Sequence, residues 1–356
     1  MAGRAGPAPV SIGRSEPVRR TLNVHDRCAS DAWRRRIDLP ANRRCCREAL
    51  VTGDRRFRLD HQLKAMGDQG LDPSELDLLA RIVDGFELGA SRHAELAHEL
   101  LIQIAGTEQS RFDAIAKFIV DTRGAEAPVV AYAVRWLLEN DQRSRPALAA
   151  RAAHWTALIA QLRAKLVAGA VDHLRFAEKL ILFDYSGTVA DIVEGLAAHG
   201  QRPTLTIAES RALDGGRPYL RRLARLQLPM RFVFDAALEQ ELDKAQALLL
   251  GAESLTPAGG LINTLGSRGA ARLANAHGVP VLGCAELIKR QAAADHSSAP
   301  SPVPPRDFSD KLLPGVERSP MIDCRQDELE LVPPQLIDYL LTEHGPLRPQ
   351  ASMGVT

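Results

Sequence analysis

Aromatic side chains are scarce in this 356-residue chain, only 4% of the total, so its core must be built from Ala, Leu, Val and Ile. No apolar run reaches membrane-spanning length, which excludes a helical span. The N-terminal residues lack the apolar stretch of a signal peptide, and a cytoplasmic protein is the expectation. Cysteine is sparse too. Cys28, Cys45, Cys46, Cys284 and Cys324 fit neither a zinc-ligand spacing nor a disulfide framework, so a reducing compartment, no metal site and no cofactor are expected. A net charge of +1 leaves no overall basic excess to hold nucleic acid.

What charge there is falls unevenly. Residues 1–65 carry about fourteen arginines against about seven acids, with Pro and Gly among them and no sustained period of 2 or 3.6, and read as a disordered segment. Interspersed Asp26, Asp31, Asp38, Asp54 and Asp60 argue against a nucleic-acid arm or a targeting segment; a start at Met66, with the upstream residues untranslated, is the other reading. From Leu71 the pattern turns helical. Asp72-Pro73-Ser74-Glu75 has the spacing of a capping box, and apolar positions recur at Leu76, Leu79, Ile82 and Val83. Further helices over about 91–104, 110–121, 128–138 and 145–170 make residues 70–175 a helical domain.

Beyond Glu178 the period changes. Short apolar strands over 180–183, 205–208, 231–234, 248–250 and 279–283 alternate with helical segments, which predicts an α/β fold: a Rossmann-like parallel sheet over residues 176–347 behind a helical N-terminal bundle. Residues 292–319, rich in Ser, Pro and Asp, read as a flexible loop. The closing stretch LELVPPQLIDYLLTEHGPL predicts a strand ending at Val332 and a helix opened by Pro333-Pro334. Within 247–267, the run ALLL, the glycines of TPAGG and the helix start near Ser267 suggest a strand, a loop and an anion-binding helix end.

Polar groups collect just past the strands: Asp184, Tyr185, Ser186 and Thr188; Glu209, Arg211 and Arg217; Asp235; Glu253 and Asn263; Glu286 and Lys289. Singly, each has an ordinary explanation, Asp184 and Asp235 as helix caps and the arginines as surface ion pairs. Together on the carboxyl edge of a parallel sheet they form a candidate ligand site, the cations and glycine amides suiting phosphate and the carboxylates suiting hydroxyls or proton transfer. His93, His98 and His154, by contrast, read as helix residues without ligand duty, and Cys284 as a buried structural thiol.

The segments DTRGAEAPVVAYAVRWLL, DYSGTV, ESRALDGGR, FDAAL, GAESLTPAGGLINTLGS, PVLGCAELIK and LVPPQLIDYLLTEHGPL, in this order and spacing, resemble one family. It unites the alpha, beta and delta subunits of eukaryotic translation initiation factor 2B with methylthioribose-1-phosphate isomerase and ribose-1,5-bisphosphate isomerase. The resemblance, over about 110–347, implies a helical domain on a Rossmann-like sheet, a homodimer, and a ligand pocket at the strand ends. It places the isomerases' cysteine at Asp184, their aspartate at Glu253 and their phosphate-holding lysine at Thr264, three departures from the isomerase pattern.

Three functions stay open on this reading. One is an aldose–ketose isomerase of a sugar phosphate with Asp184 and Glu253 as an altered acid–base pair and with Tyr185, Ser186, Glu209, Arg211, Arg217, Asn263 and Lys289 binding substrate and phosphate. Another is a non-catalytic sensor of a phosphorylated sugar or nucleotide that acts through dimer assembly, and the third a structural subunit. Neither a membrane nor a nucleic acid is an expected partner.

Overall fold

The computed structural model describes residues 63–64, 66–67, 70–84, 89–291, 305–317, 319 and 321–349. The expectations for the arginine-rich start and for 292–304 therefore fall outside the described residues, Leu63 and Lys64 apart.

Helices Pro73–Asp84, Gly89–Gln103, Gln109–Asp121, Arg123–Glu126, Pro128–Leu137 and Arg145–His173 come first. The capping box forms as its spacing demands: Asp72 Oδ1 accepts the Ser74 and Glu75 amides, while Glu75 Oε2 accepts the Asp72 amide at 3.0 Å. Pro128 opens its helix where a missing N–H costs nothing. These helices bury one another through Leu79, Ile82, Leu100, Ile115, Ile119, Val134 and Leu148.

The strands are β1 Lys179–Phe183, β2 Thr204–Ala208, β3 Met230–Val233, β4 Ala247–Leu250, β5 Ser254–Leu255, β6 Leu261–Thr264, β7 Val281–Cys284, β8 Arg306–Asp307, β9 Arg325–Gln326, β10 Leu329–Val332, β11 Tyr339–Thr342 and β12 Gly345–Leu347. Seven build the main sheet in the order β12-β11-β7-β4-β1-β2-β3, and every pairing is parallel except β11 with β12. Central β4, with sequence ALLL, is buried at every position, as a strand covered on both faces must be. Leu180, Leu182, Leu205, Ile207 and Leu249 pack on one face; Ile181, Phe183, Leu248 and Leu250 pack on the other.

Two segments differ from expectation. LINT, read as a lead-in to a helix, is instead β6, the middle strand of a small antiparallel sheet ordered β10-β6-β5, and TPAGG is the turn joining β5 to β6. The helix expected after Pro333-Pro334 is a single 3₁₀ turn, Pro334–Leu336, followed by β11. Asp338 decides this: its backbone N–H and its carboxylate both bond to Val281, 2.9 and 2.8 Å away, and Leu340 then pairs with Gly283 in β7. Apolar spacing of helical type thus yields to a sheet edge that needed a partner.

Candidate functional site

Asp184 is the first residue past β1, and its backbone is left-handed, φ 58°. Aspartate tolerates that conformation better than most side chains, and here it turns the carboxylate across the sheet edge. Oδ2 accepts a 2.7 Å hydrogen bond from Thr264 Oγ1 on β6, and Oδ1 accepts one of 3.1 Å from Ser210 Oγ past β2. Ser210 is itself left-handed, φ 48°, and is pinned by Asp235, whose carboxylate accepts the Ser210 and Arg211 amides at 2.8 and 2.7 Å. Three strand ends therefore hold one carboxyl group. Burial pushes its pKa up to about 6 against the lowering effect of the two hydroxyls, and the negative charge of Glu253 adds to the rise.

Gly215 packs directly against it. A Cβ there would stand 2.1 Å from Asp184 Oδ1 and 2.8 Å from the Tyr185 nitrogen, so no larger side chain fits without moving the carboxyl. Gly215→Ala is expected to cost about 1–3 kcal/mol in urea denaturation, the range for overpacking a filled site.

Glu253, past β4, has the opposite environment. Its Oε2 accepts a 2.6 Å bond from Arg123 Nη2, whose guanidinium also donates to Glu126 at 2.9 Å and to His93 Nδ1 at 3.2–3.3 Å. Burial alone would raise the Glu253 pKa; the Arg123 cation, with Lys289 and His93 nearby, overrides that and holds it below the ordinary range. Arg123 is only 2% exposed and sits between the helices and the sheet. It was not among the candidate residues. In the sequence it looks like part of an interruption, Thr122-Arg123-Gly124, and its meaning depends on a partner 130 positions away.

Lys289 is buried, donates to Ala252 O at 2.8 Å and is shifted down by burial, an effect that neighbouring Glu286 opposes. Glu286 pairs with Arg163. Burial raises the pKa of Cys284 strongly, which keeps the thiol protonated.

Other candidates have local partners. Ser186 Oγ caps helix Gly187–Ala198 through the Val189 amide, Tyr185 stacks edge-on to Tyr219, and Asn263 bonds to Ser267 at 3.0 Å. Arg211 is half exposed and lies 3.7 Å from Asp214. Arg217 is exposed, and its guanidinium makes no side-chain bond among the described residues. Glu209 lines a separate cavity beside β3. The helix end proposed for an anion is already filled: Glu330, from β10, accepts the Gly266 and Arg268 amides at 2.7 and 2.9 Å. Structure thus supplies from within the chain the carboxylate that the free N–H groups there require.

Residues 86–349 match the family model described as the initiation factor 2 subunit family. The chain belongs to that family. Among its relatives, the ribose 1,5-bisphosphate isomerase of Haloterrigena turkmenica is 27% identical over 285 residues, covering 74% of this chain and 86% of that protein. The fold is shared with the translation initiation factor eIF-2B of Pyrococcus horikoshii OT3, TM-score 0.67 at 18% identity, over 80% of this chain and 100% of the other. It is also shared with the 5-methylthioribose 1-phosphate isomerase of the same organism, TM-score 0.63 at 16% identity, over 78% of this chain and 85% of that one. This member carries Asp184 and Glu253 past neighbouring strands of one sheet edge, the first with its pKa raised and the second with its pKa lowered. No helix of the described residues is long and apolar enough to cross a membrane.

Proposed function

We propose that this family member isomerises an aldose phosphate to the corresponding ketose, with Asp184 moving the proton between adjacent carbons. The observation that carries the reading is the split between the two carboxyls: Asp184 poised near 6, Glu253 held ionised by Arg123. A carboxyl titrating near 6 can take a proton from one carbon and return it to the next close to neutral pH, whereas an ordinary aspartate is too weak a base. Glu253 remains an acceptor for a sugar hydroxyl. Arg211, exposed on the loop beyond β2, and Arg217, exposed in the first turn of helix Gly216–Leu223, recruit the phosphate, and Lys289, Asn263, Tyr185 and Ser186 complete the proposed substrate contacts. The isomerase relative supports the substrate class. We further propose a cytoplasmic homodimer.

The test is direct. Incubated with ribose 1,5-bisphosphate or methylthioribose 1-phosphate and followed by NMR, the protein should produce the ketose, with kcat/KM rising through an apparent pKa near 6 as Asp184 ionises. Absence of turnover with either compound would remove the catalytic reading. A sensor role has one observation in its favour: Thr264, where the resemblance places a phosphate-holding lysine, commits its hydroxyl to Asp184. Saturable binding without product would support that role.

A further inference from the structure

Away from Asp184, a cavity of about 230 Å³ opens at the free edge of the main sheet, lined by Glu209, Phe232, Val233, Phe234 and Ala237. Its walls are unusual for this chain. Aromatic residues are few, yet Phe232 is 43% exposed and Phe234 71%, both outside the three apolar cores. Phe232 packs over Gly216, its ring 2.8 Å from where a Cβ there would be. At the rim, Glu209 is fixed by its backbone, its N–H bonding to Val233 O at 2.8 Å and its C=O accepting the Gly216 amide at 3.1 Å. Its carboxylate takes no hydrogen bond among the described residues.

We propose that this cavity is a nucleoside site. The chemistry is that of the ligand: a carboxylate with both oxygens available suits two vicinal hydroxyls, and flat aromatic faces beside it suit a planar base. The topology agrees. In a doubly wound sheet whose strands run 3-2-1-4, an acid at the end of the second strand meets a ribose, and the base lies beyond towards the third; Glu209 follows β2 directly, and the two phenylalanines belong to β3 and its exit. A dinucleotide is the wrong occupant. The turn after β1 that would cradle its pyrophosphate has a single glycine, Gly187, and presents the Asp184 carboxyl instead. The site is independent of the isomerase reading, because it neither needs a phosphate nor touches Asp184.

Titration calorimetry of the full chain with adenosine tests this. One saturable site is expected, weakened about tenfold or more by Glu209→Ala and by Phe234→Ala, while 2′,3′-dideoxyadenosine should bind the parent protein no better than adenosine binds Glu209→Ala. Phe234 is exposed and the half-buried Glu209 side chain makes no hydrogen bond among the described residues, so each variant should keep the parent's circular dichroism spectrum and urea midpoint. No heat up to millimolar adenosine would overturn the proposal, as would binding indifferent to Glu209→Ala. A Phe234→Asp variant that lowers the assembly mass in light scattering, in a protein that binds no adenosine, would assign the face to a second copy of the chain instead.

Discussion

Asp184→Asn is expected to slow isomerisation severely and at the same time to make the protein more stable above neutral pH. The catalytic loss should be about 10²–10⁴-fold in kcat, the usual worth of a positioned proton-transfer group, with substrate KM little changed. The stability gain follows from the same carboxyl. Its pKa is raised on folding from 3.8 to about 6, so the folded state holds a proton that the unfolded chain releases between those values. Stability therefore falls as pH rises from about 4 through 6 and stays lowered above; a shift of that size is worth about 3 kcal/mol. Asparagine removes the titration, and its amide can still meet the hydroxyls of Thr264 and Ser210, which rotate to donate or accept. Urea midpoints of parent and variant should diverge at pH 8 and converge below pH 4. A variant that turns over substrate at the parent rate would eliminate Asp184 from the chemistry, whatever its stability.

Arg123→Met should be among the most damaging single changes in the molecule. It leaves Glu126 and Glu253 without the cation between them, and removing one partner of a buried ionic group costs about 3–5 kcal/mol, far more than the pair contributes relative to an apolar substitute. Adding Glu253→Gln to Arg123→Met should recover part of the loss, because one of the two carboxylates that faced the guanidinium loses its charge. Arg123→Lys retains the charge but not the fork that reaches two carboxylates and an imidazole, and should fall between. The functional signature is separate from stability. With the cation gone, only Lys289 and His93 oppose the effect of burial on Glu253 and its pKa rises, so a second limb should enter the acid side of the pH–rate profile. A profile unchanged in Arg123→Lys and Arg123→Met would mean that Arg123 serves the fold alone.

Much of the architecture could be read in advance where burial leaves a one-dimensional trace. KLILF, TLTIA and ALLL have apolar runs too short for helices and punctuated by turns, and they became adjacent parallel strands. Asp184 and Glu253 could be proposed because a parallel sheet presents the residue after each strand on one edge. What stayed hidden depends on distant partners. Nothing local marks LINT as a strand until β10 lies beside it, and LIDYLL has helical apolar spacing that only the Asp338–Val281 contacts overrule. Thr264 looked like a missing lysine in sequence, whereas in space it is a donor to Asp184. The role of Arg123 was invisible for the same reason.

Glu330 gives the fold a built-in counter-ion, and that has a consequence for ionic strength. With the helix end at Ser267 already neutralised from inside, the proposed phosphate is left to exposed guanidinium groups such as those of Arg211 and Arg217. Added salt screens exposed charges over a Debye length of about 8–10 Å at 0.10–0.15 M, whereas buried amide–carboxylate contacts are screened far less. On the proposed function, phosphate capture is thus an outer-surface event whose strength the surrounding electrolyte sets, while the geometry around Asp184 is left untouched.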